Sequence, residues 1–136
     1  MMQLYLDTSA IVKLIVLERE SAPLTEYLSD FPDDVRFTSA LTRTELIRAV
    51  SRSGSLDMVA HARRVLGRLD MVSLTHRLLD EAGAMNPVHL RTLDAIHLAA
   101  AATAPELRAL VTYDNRLAEA AKRSGMAVAA PGQDRV

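Results

Sequence analysis

The sequence predicts a single α/β domain in which a parallel sheet of about five strands lies between α-helices. Short apolar runs alternate with helical segments along the whole chain. Strands that are joined through helices need crossover connections, so neighbouring strands are expected to run parallel. A length of 136 residues fits one domain. Because 49% of the residues are apolar, the chain has enough material for one core without cross-links.

The N-terminal half begins with QLYLD, a short apolar run that predicts a strand over residues 3–7. Ser9 is suited to cap a helix over residues 9–17, and a second helix follows over residues 18–28. The next expected elements are a strand at 35–38, a helix at 39–52 that Ser39 opens and Gly54 ends, and an amphipathic helix at 57–69.

The C-terminal half continues the alternation with a strand at 71–74 and a helix that ends near residue 85. Thr92 is expected to cap a helix containing DAIHLAAAAT, which is so apolar that it must be buried. The last expected elements are a strand at 110–112, a helix at 114–124 that Gly125 ends, and a strand at 127–129. We expect the domain to cover residues 1–130, with a short C-terminal tail at 131–136.

The composition excludes several classes of protein. Cysteine is absent, which rules out disulfides, thiolate metal sites and cysteine nucleophiles. No apolar run reaches about 18 residues, so we expect no association with a membrane. The N-terminal sequence MMQLYLDTSA lacks the basic segment that precedes the apolar part of a signal peptide. A cytoplasmic protein is the simplest interpretation.

Four acidic residues are the main candidates for a functional site. Asp7 and Asp114 follow the first and fourth expected strands, at the edge where parallel sheets bind ligands. Asp94 lies in the first turn of the buried helix, and Glu45 lies at the border of an apolar stripe. Each acid also has a structural interpretation, because Asp7, Asp94 and Asp114 suit helix starts and Glu45 suits a capping box.

A parallel sheet would bring these acids together, and carboxylates gathered at short range repel one another unless a cation is bound. Oxygen ligands favour Mg²⁺ or Mn²⁺, which can activate water and stabilise the leaving oxygen of a phosphodiester. A zinc site is disfavoured, because the chain has no cysteine and no H-E-x-x-H motif.

Four sequence blocks resemble the PIN-domain family, and more narrowly the VapC-type toxin ribonucleases of VapBC toxin–antitoxin systems. The blocks are LYLDTSAIVKL, SALTRTELIRAV, LRTLDAIHLAAA and LVTYDNRLAEAA, and they occur in the family's order over nearly the whole chain. The resemblance implies a single PIN-like domain with a parallel sheet of about five strands. Leu117 departs from the family pattern, which often has Phe at this position, but it lies outside the acidic positions.

The resemblance implies an endoribonuclease that depends on Mg²⁺ or Mn²⁺, with Asp7, Glu45, Asp94 and Asp114 as catalytic residues and metal ligands. Ser9 and Thr112 would support the acids through hydrogen bonds, although a helix cap and a strand-end turn explain them equally well. The resemblance also implies a homodimer and a small VapB-like antitoxin that covers the active-site groove. Helices 9–17 and 57–69 are the expected walls of that groove.

Arginine provides nearly all of the positive charge that offsets the acids to a net charge of −1. The arginines concentrate between residues 43 and 68, where they suit contact with RNA phosphates. A solvated helical face explains this stretch equally well. The candidate RNA-contacting residues are Arg43, Arg48 and Arg52. His97, three residues after Asp94, is more typical of a hydrogen-bonded core histidine than of a catalytic group.

Three other interpretations use the same residues. A haloacid-dehalogenase-like phosphatase needs a second Asp two residues after Asp7, where Ser9 stands. A response-regulator receiver needs an Asp after the third strand, where the chain reads SLTH. The third alternative, a degenerate PIN domain that only binds RNA or protein, is disfavoured by the complete set of four acids.

Overall fold

A five-stranded, all-parallel sheet with the strand order β3-β2-β1-β4-β5 organises the protein. The computed structural model describes residues 1–133. The strands are β1 (Gln3–Leu6), β2 (Val35–Ser39), β3 (Asp70–Val72), β4 (Leu107–Val111) and β5 (Val128–Ala129). The predicted fold class is therefore confirmed. The N-terminal strand lies at the centre of the sheet, between β2 and β4.

Seven helices connect the strands within residues 1–133. They are α1 (Thr8–Val12), α2 (Ser21–Ser29), α3 (Leu41–Ser51), α4 (Leu56–Leu66), α5 (His76–Gly83), α6 (Thr92–Ala101) and α7 (Asn115–Arg123). The first helix is shorter than predicted, because β-branched residues lower its helix propensity and residues 13–16 form turns instead. Pro23 is tolerated in α2 because it lies in the first turn, where its missing N–H is not needed.

Apolar side chains cover both faces of the sheet, as a parallel sheet requires. On β1, Leu4 and Leu6 pack into a cluster with residues of α1 to α4, whereas Tyr5 points to the opposite face. Tyr5 joins residues of α6 and α7, including Leu98 and Leu117. All residues of α6 from Asp94 to Ala101 are buried, so the predicted burial of this helix is confirmed.

The predictions of three helix caps were wrong. Asp7, not Ser9, caps α1, because its side chain accepts from Ala10 N. Ser39 belongs to β2 and is fully buried, so its hydroxyl does not reach the start of α3. Thr92 is the first residue inside α6, and the capping position is taken by Arg91 without a side-chain hydrogen bond. Ser9 lies two positions after the capping residue of α1, and Ser39 and Thr92 each lie one position away from the capping residue of their helix.

The described part of the chain ends in a turn that packs on the body of the domain. The hydroxyl of Tyr113 donates to Pro131 O at 2.7 Å. Gly132 has φ +84° and lies so close to Pro23 that an added Cβ would be 2.8 Å from its ring. The boundary between a domain at 1–130 and a tail at 131–136 stays a prediction, and residues 134–136 lie outside the described residues. Among residues 1–133, no helix combines the length and apolar character that a membrane crossing needs.

Candidate active site at the carboxyl edge of the sheet

Asp7 follows β1 directly and is held from three sides. Its Oδ1 accepts from Ser9 Oγ at 2.7 Å and from Ala10 N at 3.1 Å, and its Oδ2 accepts from Thr112 Oγ1 at 2.7 Å. Only 4% of the residue is exposed. Burial raises the pKa of Asp7 above its usual range, although nearby His97 and the hydroxyl donors act in the opposite direction. The carboxylate is therefore fixed in place but poorly solvated.

Ser9 and Thr112 connect Asp7 to the segment that follows β4. Ser9 Oγ accepts from Tyr113 N at 2.9 Å, and Thr112 Oγ1 accepts from Asp114 N at 3.0 Å. Each hydroxyl therefore donates to the carboxylate of Asp7 and accepts from a backbone N–H of the segment that follows β4. This network joins the ends of the two central strands, and it gives both residues the hydrogen-bonding contact to an acid that was expected of them.

Glu45 lies on α3 and reaches two neighbouring elements. Its Oε1 accepts from Thr8 Oγ1 at 2.6 Å, and His97 Nε2 lies 2.7 Å from the same oxygen. Burial raises the pKa of Glu45, but the hydrogen bonds from His97 and Thr8 outweigh it, and the net pKa is lowered. Thr42 bonds to Thr38 rather than to a helix N–H, which excludes the capping-box interpretation. Glu45 is therefore ionised, and with Asp7, Asp94 and Asp114 it belongs to the group of acids at the carboxyl edge of the sheet that we call the acidic cleft.

His97 links Glu45 to the core. Its Nδ1 lies 2.7 Å from the hydroxyl of Tyr5, and only 4% of the residue is exposed. Because a carboxylate only accepts, Nε2 must carry a proton, and in the neutral ring Nδ1 then accepts from Tyr5. The prediction of a hydrogen-bonded core histidine is confirmed. The sequence did not indicate its contact with Glu45.

Asp94 and Asp114 form the other side of the cleft, and Arg91 lies between them. Arg91 Nε is 3.3 Å from Asp94 Oδ2, and a second guanidinium nitrogen is 3.6 Å from Asp114 Oδ2. Burial raises the pKa of Asp94, and the negative charge of Asp114 raises it further. Asp114 Oδ1 also accepts from the N–H groups of Arg116 and Leu117, so its predicted capping role is confirmed.

The structure brings the four acids to one edge of the sheet in linked pairs. Thr112 connects Asp7 to Asp114, and α6 carries both Asp94 and the histidine that binds Glu45. Within residues 1–133, no three Asp, Glu or His side chains lie close enough together to hold one metal ion. The assignment of the four acids as metal ligands therefore stays a prediction.

The donor set nevertheless fits a hard divalent cation in its chemistry. The acids supply oxygen ligands, which Mg²⁺ and Mn²⁺ prefer. Asp94 and Asp114 repel each other, and the positive charge of Arg91 lies between them. A bound cation would relieve the same repulsion.

Sequence reasoning missed Arg91, Thr8 and Tyr5. Arg91 carried a weak signal, since it stands three residues before Asp94 in LRTLD. Thr8 follows Asp7 directly, and Tyr5 lies in β1 two residues before it. Their hydrogen-bond partners, Glu45 and His97, lie on other elements, so no local sequence pattern identified them.

The predicted RNA-contacting arginines lie away from these acids. Arg43 and Arg48 line a groove of about 430 Å³ together with residues of α4. Arg48 and Arg52 line a second groove of about 360 Å³ on α3. None of the four acids lines either groove. In contrast, Asp94 lines a cavity of about 260 Å³ between α6 and α7.

An all-parallel α/β domain with an acidic cleft at its carboxyl edge is the class of protein that this fold and site define. The family model of the PIN domain matches residues 4–123. Ribonuclease VapC46 of Mycobacterium tuberculosis (strain ATCC 25618 / H37Rv) is 48% identical over 132 residues, which cover 96% of this chain and 99% of that protein. Ribonuclease VapC47 of Mycobacterium tuberculosis (strain CDC 1551 / Oshkosh) is 43% identical over 133 residues, which cover 95% and 97%. The chain therefore belongs to the PIN-domain family, among the VapC proteins.

Solved structures agree with this fold. VapC20 of Mycobacterium tuberculosis, described as a sarcin–ricin loop cleaving toxin, has a TM-score of 0.71 at 16% identity, covering 87% of this chain and 95% of that one. VapBC2 from Rickettsia felis, bound to a DNA fragment from its promoter, has a TM-score of 0.71 at 18% identity, covering 94% and 98%.

Proposed function

We propose that the protein is the toxin of a toxin–antitoxin pair and that it hydrolyses RNA phosphodiester bonds as an endoribonuclease dependent on Mg²⁺ or Mn²⁺. The observation that carries the proposal is the gathering of Asp7, Glu45, Asp94 and Asp114 at one edge of the sheet. The relatives that match nearly the whole chain are named ribonucleases, which supports the same reaction here.

The catalytic contribution of the chain is to hold charged oxygens in fixed positions before the substrate arrives. Asp7 is fixed by two hydroxyls and one backbone N–H, so it does not need to reorganise when charge develops nearby. Glu45 is kept ionised by Thr8 and His97. Both donors bind its Oε1, which leaves Oε2 to bind a cation or to orient an attacking water.

Asp7 and Asp94 are the proposed principal metal ligands, with Asp114 completing the site and Glu45 as a further ligand or as the group that orients water. A divalent cation bound there supplies the positive charge that activates water and stabilises the leaving oxygen. Arg91 pairs with Asp94 and Asp114, and it would have to release at least one of them for its oxygens to bind a metal.

Positive side chains farther from the acids would hold the RNA backbone on either side of the reacting bond. Arg43 and Arg48 are exposed on α3, the helix that carries Glu45, and Arg52 is exposed directly after it. All three are candidates for contacts with more distant phosphates. Few aromatic side chains are present, at 4% of the residues, so recognition would depend on backbone shape more than on base stacking.

We also propose a small VapB-like antitoxin as partner, a homodimer and a cytoplasmic location. A solved relative is a toxin–antitoxin complex from Klebsiella pneumoniae, which supports the antitoxin. An apolar helix of the antitoxin would fit along the segment after α1, where Leu17 is 89% exposed and Leu14 and Ile15 line a groove with α2. The second wall of this groove is α2 and not the helix predicted at 57–69. Sedimentation of the isolated chain at micromolar concentration tests the homodimer, and a purely monomeric profile would contradict it.

The decisive experiment compares the wild-type chain with the Asp7→Asn variant on total RNA, with Mg²⁺, Mn²⁺ or EDTA. Cleavage by the wild type that requires the cation and is lost in the variant supports the proposal. Cleavage that is unchanged in the variant would overturn the assignment of the site. Binding of RNA without any cleavage by the wild type would favour the alternative of a degenerate PIN domain that only binds RNA or protein.

A further inference from the structure

A cavity of about 260 Å³ adjoins the acidic cleft between the start of α6 and the exposed face of α7. Asp94 is part of its wall, so the cavity opens beside the proposed reaction centre. Arg91, at the entrance of α6, also lines the cavity and extends to Asp114. A ligand in this cavity would therefore lie next to the acids, which is not true of the grooves lined by Arg43, Arg48 and Arg52.

Arginine side chains outnumber acidic ones in the lining of this cavity. Arg91, Arg116 and Arg123 line it, whereas its acidic members are Asp94 and Glu119. Arg123 pairs with Glu119 at 2.9 Å, but both side chains are about two-thirds exposed, at 65% and 67%, and such surface pairs contribute little. Arg116 makes no ion pair within the described part of the chain. Two guanidinium groups on one face of α7 are thus available to an anionic ligand.

The cavity also has an apolar portion that a bare anion would not need. Pro87, Leu90 and Ala120 contribute to its lining. A lining that combines guanidinium groups with apolar side chains matches a nucleotide, whose phosphate is charged and whose base has an apolar face. The volume of about 260 Å³ lies below the roughly 300–1,000 Å³ of sites that enclose a whole drug-sized ligand, so the cavity suits one nucleotide of a longer strand.

We propose that this cavity is a nucleotide subsite, which takes the nucleotide next to the scissile bond of single-stranded RNA, with Arg116 and Arg123 on its flanking phosphates. This inference rests on the proposed function and names how the substrate is held there. It assigns to α7 a role in RNA binding that is separate from the acids and from the arginines of α3.

The test measures RNA affinity apart from cleavage. The background is the full chain carrying Asp7→Asn, and the probe is a fluorescein-labelled single-stranded RNA of mixed sequence, about 12 nucleotides long. Arg116→Gln and Arg123→Gln are compared by fluorescence anisotropy at several salt concentrations. The matched control is Lys122→Gln. This substitution removes one positive charge beside Arg123, at the exposed C-terminal end of α7, without altering the lining of the cavity.

We expect Arg116→Gln and Arg123→Gln each to weaken RNA binding about fivefold. Each should also reduce the slope of log affinity against log salt by about 0.7, the value for one phosphate contact on a single strand. Lys122→Gln should change the affinity by less than about twofold and leave the slope unchanged. All three positions are exposed, so equal melting temperatures are expected and serve as the folding control.

Equal affinities and slopes for all three variants would overturn the subsite, as expected if the cavity docks a protein partner instead. Cleavage of RNA by the chain with intact Asp7 is measured in parallel. If that chain cleaves RNA while the three variants bind alike, the inference fails and the proposed function stands. If the chain neither cleaves nor binds RNA, both fail.

Discussion

Replacing Thr112 with valine removes one hydroxyl from the centre of the site. The side chain is fully buried, and its hydroxyl donates to Asp7 at 2.7 Å and accepts from Asp114 N at 3.0 Å. A lost hydrogen bond to a charged group costs about 1.5–3 kcal/mol, and an orphaned N–H costs about 1–3 kcal/mol. Because the bond from Asp114 N is only part-buried, water can reach that N–H in part. We expect the free energy of unfolding to fall by about 3 kcal/mol.

Urea unfolding followed by circular dichroism at pH 7 measures this loss, with an unchanged m-value if the variant unfolds as one unit. The control is Thr103→Val, which removes a hydroxyl that donates to Ala100 O at the exposed end of α6. It should cost less than about 1 kcal/mol. Equal effects of the two substitutions, within about 0.5 kcal/mol, would refute the central role of Thr112.

A double-mutant cycle separates the two hydrogen bonds of Thr112. In the background of Asp7→Asn, the same substitution should cost about 1–2 kcal/mol less, because the acceptor is no longer charged. An identical cost in both backgrounds would show that the hydroxyl acts through Asp114 N alone.

Three further predictions concern charge. Burial raises the pKa of Asp7, so the native carboxyl holds its proton to higher pH and stability falls as pH rises above about 4. Asp7→Asn should remove this loss and raise the free energy of unfolding at pH 7 by about 1 kcal/mol, measured by urea unfolding from pH 4 to 8. Arg91→Gln should bind Mn²⁺ about threefold more tightly by calorimetry, since the Arg91 side chain is 59% exposed and an ion pair that it makes in competition with the metal is worth at most about 1 kcal/mol. The hydrogen bond from Arg108 lowers the pKa of Asp34, so the stability that this pair contributes is present above about pH 4 and lost as pH falls through the native pKa. Asp34→Asn should therefore be less stable than wild type at pH 7, and the two urea midpoints should converge toward pH 2.

Each charge prediction has a result that would contradict it. A less stable Asp7→Asn variant at pH 7 would mean that the hydrogen bonds of Asp7 outweigh its burial. An unchanged Mn²⁺ affinity in Arg91→Gln, equal to that of Lys122→Gln, would show that Arg91 does not compete for the acids. A constant gap between wild type and Asp34→Asn down to pH 2 would exclude ionisation of Asp34 as the cause.

The parallel character of the sheet and the edge that carries Asp7 and Asp114 could be predicted because both follow from local patterns, but the strand order could not. Alternation of strands and helices implies a parallel sheet, and residues directly after its strands must meet at one edge. Asp7 and Asp114 obeyed that rule. The apolar run of α6 similarly required burial of the helix that carries Asp94.

The hydrogen-bond partners could not be predicted, because they depend on which elements pack together. Asp7, Thr8 and Ser9 all carry side chains that could cap α1. The residue that caps it is Asp7, whose carboxylate also accepts from Thr112, 105 residues away in the sequence. The bonds from Glu45 to Thr8 and His97 cross from α3 to α1 and α6. Neither periodicity nor spacing contains that information.

The central position of β1 has a consequence for synthesis. Its two neighbours in the sheet are β2 and β4, and β4 begins only at Leu107. At roughly 5–20 residues per second, a ribosome needs about 5–20 s after completing β1 to translate β4. Throughout that interval at least one edge of β1 is open, and Asp114 has not yet been added to the chain. A nascent chain therefore cannot assemble its acidic cleft until nearly the whole domain has been translated, which delays any catalytic competence to the end of synthesis.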